Sequence, residues 1–294
     1  MLNIFSLKKW VILKIVYGCN HKCSFCHERD NIFSFNFKNI LLTDLDQIYK
    51  WILENHFDYV IISGWEPSLH PSFSKIIEFF QIHNIYVVVV SNWTHILKHD
   101  YKNIDKNKIT FYISYHWLEE DYNEVTQSSD FKKVTENIQN LEKIFPEIIL
   151  RYVVNNKNIR NFTEFNKFVF TEFENVFLEY VLLEDLKYSH VEDTIVTIQD
   201  YHKLMSKFIL QKNILIDWWI ACANTYLFSN AQHKFDPLVN TMIWLVKKTK
   251  EWELIYNIKE TISSRNIKSH WSKCKKCIQF DYCHGFDINY LSHK

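Results

Sequence analysis

Short apolar runs alternate with longer amphipathic stretches through most of this chain, and that alternation leaves few folds open to it. Residues 10–16, 59–62, 86–90, 110–114, 148–154 and 176–183 are apolar and short, as strands buried on both faces are. Between them, 44–56, 72–83, 131–144 and 161–173 carry apolar residues at helical spacing. Strands separated by helical crossovers pair in parallel. Six such strands predict an α/β fold, a partial (β/α)6 TIM-like barrel over residues 8–210 with its helices outside. Reacting groups in this architecture gather at the C-terminal ends of the strands.

The first cysteines obey that rule. Seven are present, placed as three plus four. Cys19, Cys23 and Cys26 follow the first predicted strand in Tyr17-Gly18-Cys19-Asn20-His21-Lys22-Cys23-Ser24-Phe25-Cys26, and Cys222, Cys274, Cys277 and Cys283 lie near the C-terminus. A C-x3-C-x2-C run, a lone cysteine and a C-x2-C-x5-C run supply two metal centres with no thiol left over. Clustered cysteines read as ligands kept reduced, not as structural disulfides. Three thiolates can hold three irons of a [4Fe-4S] cube, which takes four cysteines when fully ligated, so one iron stays open. Tetrahedral zinc, which also favours thiolates, is the competing reading, and it competes more strongly for the C-terminal four.

The N-terminal loop resembles that of the radical S-adenosylmethionine (radical SAM) superfamily, where a C-x3-C-x-aromatic-C loop follows the first barrel strand. Further motifs carry the same resemblance. Ser63-Gly64-Trp65-Glu66-Pro67 looks like the glycine-glycine-glutamate-proline turn after the second strand, and Ser91-Asn92-Trp93-Thr94 like the Ser/Thr-Asn-Gly turn after the third. Ser114-Tyr115-His116-Trp117 is similar to the Ser-x-His-Gly ending of the fourth, and Arg151 stands where a fifth-strand residue often faces SAM. The resemblance implies that Cys19, Cys23 and Cys26 hold the cluster whose open iron chelates SAM. It implies that Phe25, Gly64, Glu66, Pro67, Ser91, Asn92, Ser114 and Arg151 shape the SAM site. The implied chemistry is reductive cleavage of SAM to a 5'-deoxyadenosyl radical that abstracts a substrate hydrogen, fed by a flavodoxin- or ferredoxin-type reductant.

Tryptophan stands at three places where the family pattern has glycine: Trp65, Trp93 and Trp117. Glycine there permits positive φ and close backbone approach, which an indole does not. The chain has 3 Gly and 10 Trp, whereas average glycine usage is roughly 7%. A gene that uses UGA for glycine, read with a table that assigns UGA to tryptophan, accounts for this, and Trp218 and Trp219 are further candidates. Genuine tryptophans in a glycine-poor chain are the alternative.

Past the sixth strand the texture changes. A helix is expected over 199–210 and a short strand over 214–216, then little barrel pattern follows. Residues 211–294 resemble the Twitch or SPASM-like auxiliary region of radical SAM proteins. Four cysteines match the shorter Twitch version, implying one further [4Fe-4S] cluster on Cys222, Cys274, Cys277 and Cys283 that accepts an electron. Lys273, Lys275 and Lys276 beside it are either a solvated loop or an influence on its potential.

Charge narrows the partners. Lys plus Arg and Asp plus Glu are 34 each, which offers no electrostatic footprint for nucleic acid or an anionic membrane. No apolar run approaches the roughly 18 residues of a membrane span, and residues 1–10 lack a signal-peptide core, so a cytoplasmic protein is expected. Within the family, modification or crosslinking of a peptide is the first reading and dehydrogenation of a small metabolite the next. The barrel pattern begins so early that no leader-binding domain is expected before it. A noncatalytic iron-sulfur electron carrier or metal-binding protein, and a radical SAM RNA-modifying enzyme, are the alternatives. His21, His27, His70, His116 and His284 read as loop or packing residues, with His116 best placed to face a pocket, and 119–121 as a solvated acidic face.

Overall fold

The computed structural model describes residues 10–26, 39–116, 118–155 and 158–182, together with 214–216, 243–248, 251–256, 268–269 and 286–287. Trp117, Trp218, Trp219, His27, His284 and all four C-terminal cysteines lie outside the described residues, as does the helix expected over 199–210.

Six strands form one open parallel sheet: β1 (Trp10–Val16), β2 (Tyr59–Gly64), β3 (Tyr86–Ser91), β4 (Ile109–Ser114), β5 (Ile148–Val154) and β6 (Val176–Leu182). This is the α/β arrangement that the alternation predicts. Three later strands join the same sheet. β7 (Ile214–Ile216) pairs in parallel with β6, β8 (Ile243–Lys248) pairs in parallel with β1, and β9 (Glu251–Tyr256) runs antiparallel to β8. The strand order is β7-β6-β5-β4-β3-β2-β1-β8-β9. Sequence patterning does not anticipate β8 and β9. A separate antiparallel pair joins β10 (Lys268–Ser269) and β11 (Phe286–Asp287).

Helices α1 (Leu45–Glu54), α2 (Phe73–Ile82), α3 (Glu119–Thr126), α4 (Phe131–Leu141) and α5 (Phe162–Glu172) fill the crossovers. Period-2 alternation sorts each strand's side chains. Ile109, Phe111 and Ile113 of β4 and Leu150, Tyr152 and Val154 of β5 share one core with Val134, Ile138, Phe162 and Phe165 of the helices, all of them fully buried. The other face of the sheet holds a smaller cluster of Tyr59, Tyr86 and Val88, flanked by Trp10, Ile61 and Tyr112. Among the five described helices, α3 alone escapes the sequence pattern. Its acids Glu119, Glu120 and Asp121 form its first turn, where negative charge suits the helix dipole.

Candidate cluster and SAM site

β1 ends in an irregularity. Its register with β2 shifts between Lys14 and Val16, where Val16 faces Gly64. Gly64 has φ +131°, and a Cβ there would stand 2.4 Å from the Val16 carbonyl oxygen. Glycine is therefore the residue this approach admits. Backbone pairing then continues past the strand, with Trp65 N donating to Val16 O at 3.2 Å and Glu66 N to Gly18 O at 3.0 Å. The turn after β2 is thus laid directly against the root of the cysteine loop.

Glu66 is fully buried. Its Oε1 accepts from Ser68 N at 2.9 Å, from Ser68 Oγ and from Ser91 Oγ at 2.7 Å, and its Oε2 accepts from Asn92 N at 2.6 Å. Burial pushes its carboxyl above the usual range, while these donors pull it down. The carboxylate ties the turn after β2, including buried Pro67 and Ser68, to the turn after β3. Both oxygens are occupied by the protein itself.

Asn92 carries the connection on to the cysteines. Its Nδ2 donates to Asn20 Oδ1 at 2.9 Å and lies 3.7 Å from Cys19 Sγ. Its Oδ1 accepts from Thr94 N at 3.1 Å. Cys19 Sγ also receives His21 N at 3.3 Å. None of Cys19, Cys23 and Cys26 is in a disulfide. Desolvation by the surrounding protein pushes Cys19 up to about 11 and Cys23 higher still, and the thiols repel one another's ionisation. No three His, Cys, Asp or Glu side chains among the described residues close on a single-ion site. Three thiols on one loop, with N–H donors aimed at the Cys19 sulfur, fit the ligand set that an open-iron [4Fe-4S] cluster would take.

The remaining expected residues lie on the cysteine loop and on β4 and β5. Phe25 packs edge-on against His116, with ring centroids 4.9 Å apart. His116 Nδ1 accepts from Val153 N at 3.1 Å, and burial, then the Arg151 charge, lowers it to about 3. It is a neutral packing residue joining the cluster loop to β5. Ser114 and Arg151 are register partners across β4 and β5. Arg151 Nε donates to Glu179 Oε2 at 2.6 Å, and its guanidinium lies 4.6 Å from the Tyr112 ring centroid. Alternation places Tyr112, Ser114, Arg151 and Glu179 on the face away from the helices. Glu179 and Lys14, the latter 5% exposed, are inner-face charges that motif reading missed. The legible signal was a single charge inside an otherwise apolar strand.

Trp93 is fully buried at φ +69°, and its Nε1 has no hydrogen-bond partner. Its ring packs on Phe111 at 4.6 Å. A bulky residue in left-handed backbone with an orphaned buried donor is unusual on both counts. Trp65 is half-buried, edge-on to Tyr17 at 6.2 Å.

The cysteine loop thus stands at the C-terminal edge of a parallel α/β sheet, backed by the turns after β2 and β3. The chain belongs to the radical SAM superfamily, whose sequence profile matches residues 13–169, more than half of the 294. Among solved structures, it resembles native anSMEcpe with bound AdoMet and Cp18Cys peptide, with TM-score 0.62 and 20% identity over 95% of this chain and 88% of that one. It also resembles Streptococcus suis SuiB bound to precursor peptide SuiA, with TM-score 0.65 and 14% identity over 98% of this chain and 74% of that one. At such identities the likeness is one of fold. No curated protein sequence matches the chain.

Proposed function

We propose that this radical SAM protein modifies a peptide oxidatively, by abstraction of a hydrogen atom, with a second cluster taking up the released electron. The observation that carries the chemistry is the connection from Glu66 through Asn92 to Cys19, which joins three strand-end turns into one walled site. The peptide reading is supported by likeness, over nearly the whole chain, to anSMEcpe with its Cp18Cys peptide and to SuiB with SuiA.

A [4Fe-4S] cluster and SAM, when bound, would supply reductive cleavage to a 5'-deoxyadenosyl radical for hydrogen abstraction. Cys19, Cys23 and Cys26 hold that cluster. Gly64 lets the backbone close on the loop, and Glu66 with Pro67 and Ser91 fixes the two turns. Asn92 directs an N–H toward the Cys19 sulfur, a contact of the kind that tunes cluster potential. Phe25 packs the loop on His116 in the turn after β4, and Ser114 and Arg151 of β4 and β5 would contact SAM. Cys222, Cys274, Cys277 and Cys283 hold the auxiliary cluster in a Twitch-like region after residue 210. A flavodoxin- or ferredoxin-type reductant in the cytoplasm feeds the first cluster.

Anaerobic reconstitution followed by iron and zinc analysis, with a 5'-deoxyadenosine assay under dithionite, tests this. Roughly eight irons per chain with deoxyadenosine release is the expected result, and roughly four irons plus zinc removes the auxiliary redox role. Iron without SAM cleavage leaves an electron carrier, and no iron ends the reading. A candidate peptide that loses two hydrogens by mass supports the substrate class.

A further inference from the structure

The cysteine loop is also tied down on a side that the SAM reading does not use. Lys22 N donates to Thr126 O and Ser24 N to Val125 O, each at 3.0 Å. Both carbonyls belong to the last turn of α3, which closes on Gln127 in left-handed backbone at φ 50°. Three residues beyond Gln127 is Asp130, the N-cap of α4. An aspartate in that position ordinarily accepts from first-turn amides. Here it makes no side-chain cap bond. Its Oδ2 accepts instead from His21 Nε2 at 3.0 Å and from Asn20 Nδ2 at 3.5 Å.

Those two contacts reach far into the loop. The His21 side chain is 1% exposed against 26% for Asp130, and its ring meets Tyr122 of α3 edge-on at 6.1 Å. Asn20 also donates to Thr94 Oγ1 at 2.9 Å and accepts from the Asn92 Nδ2 that lies beside Cys19 Sγ. A continuous polar chain therefore runs from the start of α4, through the loop, to a cysteine sulfur. His21 and Asn20 stand between Asp130 and the thiols.

We propose that Asp130 is a positioning residue for the cluster loop, its carboxylate diverted from helix capping to hold His21 and Asn20 so that Cys19, Cys23 and Cys26 are presented together. It touches no cofactor and acts through those two side chains. This rests on the reading of the three cysteines as cluster ligands.

The test uses the full chain with Asp130→Ala, Asp130→Ser and Asp130→Asn. Serine can still cap α4 but is too short to reach His21, whereas asparagine keeps an oxygen in place. Amide hydrogen exchange at Lys22 and Ser24 is followed in the metal-free chain. Alkylation of Cys19, Cys23 and Cys26 under chelator is followed by mass spectrometry in the reconstituted one. Asp130→Ala and Asp130→Ser are expected to exchange and alkylate at least roughly fivefold faster than the parent, with Asp130→Asn returning most of the way. Parent rates in Asp130→Ala overturn the proposal. So does a return to parent rates in Asp130→Ser, which would reduce the role to capping, and that variant decides the matter if the alanine chain does not fold. A parent that takes up no iron at these cysteines defeats the cluster reading instead, while exchange in the metal-free chain still judges the latch.

Discussion

Trp93 occupies backbone that suits glycine, and the forces on it conflict. Left-handed φ costs a non-glycine residue about 1–2 kcal/mol, and an orphaned buried donor about 1–3 kcal/mol more, while the packed ring contributes burial of about the same size. The φ of +69° survives even with an indole attached, because the turn is held from outside. Trp93 N donates to Ser91 Oγ and Trp93 O accepts from Asn137 Nδ2. UGA codons at positions 65, 93 and 117, with native peptides bearing glycine masses, are the expected outcome of sequencing the gene and the protein. TGG at all three would show the tryptophans to be genuine. Gly64 gives a second prediction. Gly64→Ala sets a Cβ 2.4 Å from a backbone oxygen, and nothing flexible can yield. A loss of about 3 kcal/mol in urea denaturation is expected, and an unchanged midpoint would refute the tight approach.

At the scale of elements, the outer helices pack as their periodicity predicts, but short polar connections decide how they are joined. Glu142, 9% exposed at the end of α4, accepts from Glu174 N and Asn175 N, each at 2.9 Å. It thereby sets the entry to β6. Glu142→Ala strands two amides and should lower stability by about 2 kcal/mol, read as a urea midpoint, whereas Glu142→Gln should recover most of it. Nothing in the local pattern marks Glu142, since its partners lie in a turn beyond the next helix. The same is true of α3. Its eight residues, Glu119–Thr126, carry too few apolar side chains to show a period, and an acidic run reads as a solvated face. Its role comes from where its last carbonyls meet the cysteine loop.

At the scale of the molecule, desolvated histidines among the described residues work against stability in acid. Burial lowers His21, His70, His99 and His116 below their ordinary 6.5, His116 to about 3. A folded value below the unfolded one adds stability that is present above about 6.5 and lost as pH falls toward the folded value. Glu66, shifted upward, acts with the opposite sign. The urea midpoint of the metal-free chain should therefore drop between about pH 7 and about pH 4, and less steeply in His116→Gln. The same slope in His116→Gln as in the parent would contradict the burial of that ring. Among the described residues no helix is long and apolar enough to cross a membrane. The parallel α/β sheet and the family were legible in the sequence because both rest on local signals. Hydrophobic period identifies strands and helices, and the cysteine loop, Gly64-Trp65-Glu66-Pro67 and Ser91-Asn92 each fall within a few residues at a strand end. Tertiary structure alone decided the rest. It turned Glu66 into a clamp between two turns, paired Arg151 with Glu179 across neighbouring strands, added β8 beside β1, and brought Asp130 to His21. Those contacts join residues far apart in the chain, whose meeting depends on how the sheet is ordered and which way its helices return, and no window of sequence contains that information.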